Sequence, residues 1–244
     1  MTNIQAVQSY FNGAGFERLR SIYCDEQCRG FRGMVRRGHQ QVVDTVLSWT
    51  GARHGLEGHT ILDAGCGVGT ISIPLAQAGA RVDGIDVSDK MIETAKQRAA
   101  RAGITRGNAR FAVTDFQPVR NRYDTVLCID VFARYSTADV LDMLGGLSRL
   151  AESRMIISFT PKTGMDSLWL RIGNFVARRA NASPLYTHSR RVVIDRLESL
   201  GWRVHRQINV SAGLGSYYCC LVEVHRPDCI VPGGDDFPGF EIWF

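Results

Sequence analysis

Asp63 is followed by glycines at 65, 67 and 69, and a second aspartate, Asp86, closes the next apolar run. The first stretch reads Thr60-Ile-Leu-Asp-Ala-Gly-Cys-Gly-Val-Gly-Thr70. Glycine suits a turn that needs positive φ or lets a ligand press on the backbone. A helix N-terminus behind such a turn offers free N–H groups to an acid group. A carboxylate at the end of the following strand can hold the two hydroxyls of a ribose. The pattern therefore points to a nucleoside-bearing cofactor. A tight strand–helix turn with no ligand and a nicotinamide site are the alternatives it leaves open.

These residues need elements to position them. Ile61 and Leu62 predict a strand over 60–64, and Ile71, Ile73, Leu75 and Ala76 a helix over 69–78. A strand at 81–86 precedes Ser88, which predicts the N-cap of a helix over 89–102, with Gly103 just past its end. Strands follow at 109–113 and 123–129, then a helix at 137–151 and a strand at 154–159. A helix over 189–200 stops at Gly201, and β-rich runs at 202–210 and 216–224 close the sheet as an antiparallel hairpin. The alternation of strand and helix predicts an α/β doubly wound sheet.

Two regions fall outside that alternation. Residues 1–22 and 35–50 read as helices, the first broken at Tyr10-Phe-Asn-Gly-Ala-Gly-Phe16. We expect 1–50 to be a helical arm or lid, 51–226 the main domain, and 227–244 an irregular tail. An insert at 160–186 carries Trp169 and Phe175 flanked by arginines, a composition suited to substrate recognition or to a membrane interface.

Composition narrows the classes. A chain of 244 residues with 45% hydrophobic content suits one domain with an appendage. No apolar run approaches the roughly 20 residues of a transmembrane helix, and no secretory signal is evident at the start. The seven cysteines show no C-x-x-C pair and no zinc spacing, so reduced thiols, a cytoplasmic setting and no metal site are expected. A net charge of +5 permits an acidic small molecule or an anionic surface and selects no nucleic acid.

The G-x-G-x-G spacing is one residue tighter than the dehydrogenase pattern. With an acid before it and another at Asp86, it resembles the S-adenosylmethionine site of class I methyltransferases. That resemblance implies a Rossmann-like, seven-stranded, mostly parallel sheet with an antiparallel final hairpin. It implies cofactor contacts at Asp63, Gly65, Cys66, Gly67, Gly69, Asp86, Val87 and Met91. Further contacts are implied at Asp115 and Phe116 after the third strand, and at Ile129 and Asp130 after the fourth.

Six segments narrow the resemblance further. They are Tyr10-Phe-Asn-Gly-Ala-Gly-Phe-Glu-Arg18, Arg20-Ser-Ile-Tyr-Cys-Asp25, Val35-Arg-Arg-Gly-His-Gln-Gln-Val-Val-Asp-Thr-Val46, Asp63-Ala-Gly-Cys-Gly-Val-Gly69, Tyr123-Asp-Thr-Val126 and Ser158-Phe-Thr-Pro-Lys-Thr163. Together they resemble the magnesium-protoporphyrin O-methyltransferases of chlorophyll and bacteriochlorophyll synthesis, over about residues 8–225. The resemblance implies methyl transfer from S-adenosylmethionine to a propionate of Mg-protoporphyrin IX, leaving S-adenosylhomocysteine. It implies Tyr23 as a catalytic residue and places Arg134 where many relatives carry histidine. Tyr10, Arg36 and His39 are expected at the cofactor, with Arg36 and His39 next in line to position the acceptor. A magnesium chelatase subunit is the partner the pathway implies, and a peripheral place on the photosynthetic membrane the location. A quinone-type O-methyltransferase and a non-catalytic S-adenosylmethionine-binding subunit remain as alternatives.

Overall fold

The computed structural model describes residues 3–23, 29–162, 185–212 and 217–227. Within them lie seven strands in one sheet, ordered β3-β2-β1-β4-β5-β7-β6. The strands are β1 (Thr60–Ala64), β2 (Arg81–Asp86), β3 (Ala109–Val113), β4 (Tyr123–Cys128), β5 (Ala151–Phe159), β6 (Arg203–Ala212) and β7 (Tyr217–His225). β1 pairs in parallel with β2 and β4, while β7 runs antiparallel to both β5 and β6. This is the mostly parallel sheet with an antiparallel final hairpin that the sequence implied.

The helices are α1 (Asn3–Phe11), α2 (Ala14–Tyr23), α3 (Gly30–Thr50), α4 (Ser72–Gln77), α5 (Asp89–Arg101), α6 (Thr137–Leu150) and α7 (Arg190–Ser199). Several of their ends have a local cause. Ser88 caps α5 by accepting from the Met91 amide at 3.2 Å, and Gly103 takes φ 72° after it. Ser136 and Asp139 form a reciprocal capping box at the start of α6. Gly51 ends α3 in the left-handed region, at φ 78°.

The boundaries differ most from the sequence reading at three places. α3 begins at Gly30, five residues earlier than the apolar stripe suggested, because its first turn, with two glycines and an exposed Phe31, adds nothing to that stripe. α4 begins at Ser72, since residues 69–71 still belong to the glycine turn. β5 begins at Ala151, directly after α6.

The central strands β1, β4, β5 and β7 are buried on both faces, which explains their near-continuous apolar runs, while the edge strands β3 and β6 are largely exposed. One face packs α6 and α7 through Val140, Leu144, Val193 and Leu197. Here Trp202 is buried, and its indole N–H donates to Ser148 Oγ at 2.8 Å. The other face packs α3 and α4 through Val42, Val43, Val46 and Leu75. Full burial of such a side chain contributes roughly 1.5–3 kcal/mol. The arm is therefore not a free appendage, because α3 supplies one wall of the core.

The insert expected at 160–186 lies mostly at 163–184, outside the described residues, as does most of the tail. Its described flanks meet at a bridge between Pro161 and His188. His188 is buried, with Nε2 3.0 Å from the Phe132 carbonyl and Nδ1 3.1 Å from Thr137 Oγ1.

Candidate active site

The carboxyl ends of β1, β2, β3 and β4 open into one cavity of about 1270 Å³. Ligands of such sheets bind outside those ends, where the strand order reverses. The reversal here lies between β1 and β4.

The glycine turn forms the cavity floor. Gly65 and Cys66 donate their amides to the Ile85 carbonyl, at 2.8 and 3.0 Å, which ties the turn to β2. Gly65 has φ 85°, and a side chain there would run into Val131, so no other residue fits. At Gly67 an added Cβ would meet open space, so its backbone stands clear for a ligand to press against.

Two carboxylates frame this turn. Asp63 is buried and accepts from Ser72 Oγ at 2.5 Å. Burial pushes its carboxyl up to about 6, against the hydrogen bond from Ser72. Asp86 accepts from the Gly67 amide at 3.0 Å and the Ser88 amide at 2.8 Å. Burial also raises Asp86, and those two amides partly oppose the rise. A carboxylate held by backbone amides keeps lone pairs for ligand hydroxyls. Next along the wall, Val87 and Met91 follow Asp86, and Asp115 and Phe116 follow β3. The Phe116 ring packs against Gly146 of α6, where a side chain would collide with it.

The other side of the cavity belongs to the arm. Tyr10, Phe11, Arg18, Ile22, Tyr23 and His39 line it. The Ser88 hydroxyl lies 3.1 Å from the Phe11 carbonyl and 2.6 Å from Asn12 Oδ1, so the α1–α2 turn is docked where β2 ends. The Arg134 guanidinium lies over the Tyr10 ring at 4.8 Å and the Phe11 ring at 5.6 Å. Burial pulls Arg134 below its usual value, and Tyr10 opposes that.

Between these walls sits a polar network that sequence spacing did not reveal. Asp130, just after β4, takes φ 60°, a left-handed conformation uncommon outside glycine. Its carboxylate receives the Tyr217 hydroxyl at 2.8 and 2.7 Å, one proton shared between both oxygens. His39 Nδ1 lies 3.0 Å from Asp130 Oδ2, and Ser158 Oγ donates to Oδ1 at 3.3 Å. Burial alone would raise Asp130, but His39, Tyr217 and Ser158 hold its carboxyl below the usual range. His39 Nε2 lies 3.0 Å from Thr70 Oγ1 in the glycine turn. The Tyr23 ring packs on His39, with centroids 4.5 Å apart. Burial first, then Asp130, raises the Tyr23 phenol, so it remains a proton donor.

The structure thus brings Tyr10, Tyr23, His39, Asp63, Gly65, Cys66, Gly67, Asp86, Val87, Met91, Asp115, Phe116, Ile129, Asp130 and Arg134 onto one cavity wall. Arg36 and Gly69 are not on it, and Gly69 faces Ile73 and Ala95 behind the turn. Thr70, Ser158 and Tyr217 were missed. Tyr217 had one available signal. The first residue of an antiparallel last strand must lie beside the carboxyl ends of its parallel neighbours.

At the opposite end of β7, His205, Glu223 and His225 bring ligand-type atoms within 4.8 Å of one another. Residue numbers alone gave no hint of that grouping. Glu223 already faces Arg154 at 3.7 Å, Arg206 at 3.4 Å and His225 at 3.0 Å. Its charge is therefore balanced by the protein itself.

Comparison with known proteins places this geometry. A family model described as a methyltransferase domain matches residues 61–153. One described as the magnesium-protoporphyrin IX methyltransferase C-terminus matches 128–226. A magnesium-protoporphyrin O-methyltransferase from Synechocystis sp. is 38% identical over 220 residues, covering 90% of this chain and 95% of that protein. The chloroplastic magnesium protoporphyrin IX methyltransferase of Arabidopsis thaliana is 35% identical over 204 residues, 83% of this chain and 65% of that one. The crystal structure of the Synechocystis PCC 6803 magnesium protoporphyrin IX methyltransferase with bound SAH superposes with a TM-score of 0.80 at 37% identity. That match covers 92% of this chain and 99% of the other.

Proposed function

The chain belongs to the magnesium-protoporphyrin O-methyltransferase family, and we propose that it methylates a propionate carboxylate of Mg-protoporphyrin IX, with S-adenosylmethionine as methyl donor. The observation that carries this reading is the single cavity shared by the glycine turn and the arm. Its volume of about 1270 Å³ exceeds the roughly 300–1,000 Å³ of an ordinary small-molecule pocket. It suits a nucleoside cofactor together with a large flat acceptor.

S-adenosylmethionine supplies an activated methyl: a propionate oxygen attacks the methyl carbon, the carbon–sulfur bond breaks, and its electron pair stays on sulfur. The propionate, with a pKa of about 4–5, is already ionised at neutral pH. The protein need not remove a proton; its work is to orient two bound molecules. Asp86 is suited to the ribose hydroxyls and Asp115 to the adenine edge, while the Gly65–Gly67 backbone faces the methionine portion. The residues present therefore fit the cofactor. Arg134 stays cationic at neutral pH and offers a bidentate partner for the acceptor's carboxylate. Tyr23, kept protonated by burial, offers a donor beside it. Both are positioners rather than bases. Residues 1–50 then act as an arm covering the domain of 51–226.

The test is methyl transfer to Mg-protoporphyrin IX, scored beside metal-free protoporphyrin and a panel of quinones. Turnover of the magnesium porphyrin alone supports the reading, and turnover of a quinone alone overturns it.

Two further parts of the reading concern surroundings. No described helix is long and apolar enough to cross a membrane. Peripheral contact is our proposal. Phe31 is 55% exposed at the start of α3, with Arg29, Arg32 and Arg37 exposed beside it. Trp169 and Phe175, which suggested an interfacial helix in the sequence, lie outside the described residues. Sedimentation with anionic vesicles at low salt, reversed by salt, is the expected behaviour. The partner we propose is a magnesium chelatase subunit, since metal insertion must precede this reaction and its product is a poorly soluble disc.

A further inference from the structure

Arg18 is a cation on the cavity wall, and among the described residues no carboxylate is paired with it. It projects from α2 and lines the same space as Tyr23 and Arg134. Its neighbour Glu17 is paired with Arg20 at 3.2 Å. Among the described residues no ion pair involves Arg18. Its field reaches both groups that face the acceptor: it stabilises the ionised form of Tyr23 and repels the charge of Arg134. Two like charges converging on one cavity are unfavourable alone and become favourable when an anion arrives between or beside them.

The acceptor has two anionic arms on one edge. One reacts and loses its charge. The other stays anionic before, during and after methyl transfer. Resting on the proposed reaction, we infer that Arg18 binds the propionate that is not methylated, leaving Arg134 to the arm that reacts. An interaction that is constant along the reaction contributes to binding and not to the chemical step. It also limits the number of methylations. The monoester can return for a second methyl only by turning its ester towards Arg18, which then loses its anionic partner. Arg18 thus makes the product a poor acceptor.

The experiment compares the wild-type chain with Arg18→Met, Arg18→Lys and Arg20→Met, whose guanidinium sits outside on Glu17. Arg18→Met should raise the KM for Mg-protoporphyrin IX about tenfold, the size of one charge-assisted contact, with kcat nearly unchanged. Offered the monomethyl ester, it should form dimethyl ester at a rate well above wild type. Arg18→Lys should recover most of the affinity, and Arg20→Met should match wild type. Calorimetric affinity for S-adenosylmethionine, unchanged throughout, shows that the variants are folded. If Arg18→Met keeps the wild-type KM and forms no extra dimethyl ester, the inference falls while the reaction stands. If Arg18→Met does not fold, an Arg18→Lys variant that binds Mg-protoporphyrin IX as tightly as Arg20→Met and wild type decides against it, and partial loss confined to the diacid decides for it. A wild-type chain that never methylates Mg-protoporphyrin overturns the reaction and this inference together.

Discussion

Tyr217 holds Asp130 by both carboxylate oxygens, at 2.8 and 2.7 Å, and so ties the start of β7 to the end of β4. The same tyrosine ring fills the space above Gly38 of α3, where an added Cβ would lie 2.5 Å from it. One side chain therefore joins the arm, the central sheet and the final hairpin. With Asp130 ionised, His39 donates from Nδ1 and is left to accept from Thr70 at Nε2 when the imidazole is neutral. The network orders the floor of the site without placing a free base in it.

Tyr217→Phe keeps the ring against Gly38 and removes only the hydroxyl. It should lower stability by roughly 1–3 kcal/mol, because Asp130 loses a buried donor. Urea denaturation measures that loss. A midpoint equal to wild type would mean that water or His39 replaces the phenol at no cost.

Asp86→Ala removes the acceptor of the Gly67 and Ser88 amides as well as the expected ribose partner. Affinity for S-adenosylmethionine should fall by roughly 2–3 kcal/mol, as buried polar groups lose their partners. Calorimetry on a folded variant checks this. An unchanged affinity removes Asp86 from the cofactor site.

Asp63 gives the chain a defined pH dependence. Its folded pKa, about 6, lies above the ordinary 3.8. The folded state therefore holds this proton more tightly than the unfolded state. The contribution of Asp63 to stability should be greatest below about pH 4, decline as pH rises through 6, and stay low above it. The difference amounts to about 3 kcal/mol. Asp63→Asn should flatten that decline relative to wild type. Denaturation at pH 4, 5, 6 and 7 measures it, and parallel wild-type and variant profiles would contradict it.

Arg134→Leu should raise the KM for the porphyrin or lower kcat/KM without adding a pKa to the rate profile, since arginine does not titrate near neutrality. Tyr23→Phe should lower kcat more than it weakens binding if its hydroxyl bonds better in the transition state. Both variants turning over like wild type would move the positioning role to His39.

Much of this protein was legible from residue order. The apolar runs ending at Ala64, Asp86, Val113 and Cys128 alternate with helical stripes, and that alternation is a local property of the chain. The caps at Ser88 and Ser136 and the stops at Gly103 and Gly201 are local as well. So is the glycine turn, because positive φ at Gly65, Gly67 and Gly69 is demanded by the backbone itself. The strand ends then carried Asp63, Asp86, Asp115 and Asp130 to one edge without any knowledge of packing.

What residue order did not reveal was decided by distance in space. Tyr217 lies 87 residues from Asp130, and His39 lies 91 residues from it. No periodicity links them, and only the antiparallel turn of β7 and the packing of α3 bring them together. Arg36 looked as suited to the cavity as His39, three residues on, but only His39 reaches the cavity wall. Glu223 and its two arginines meet for the same reason, across three neighbouring strands. Local residue order set the elements and the chemistry at their ends. The tertiary structure alone decided which distant polar groups share a proton, because hydrogen bonds depend on ångström distances that chain order does not specify.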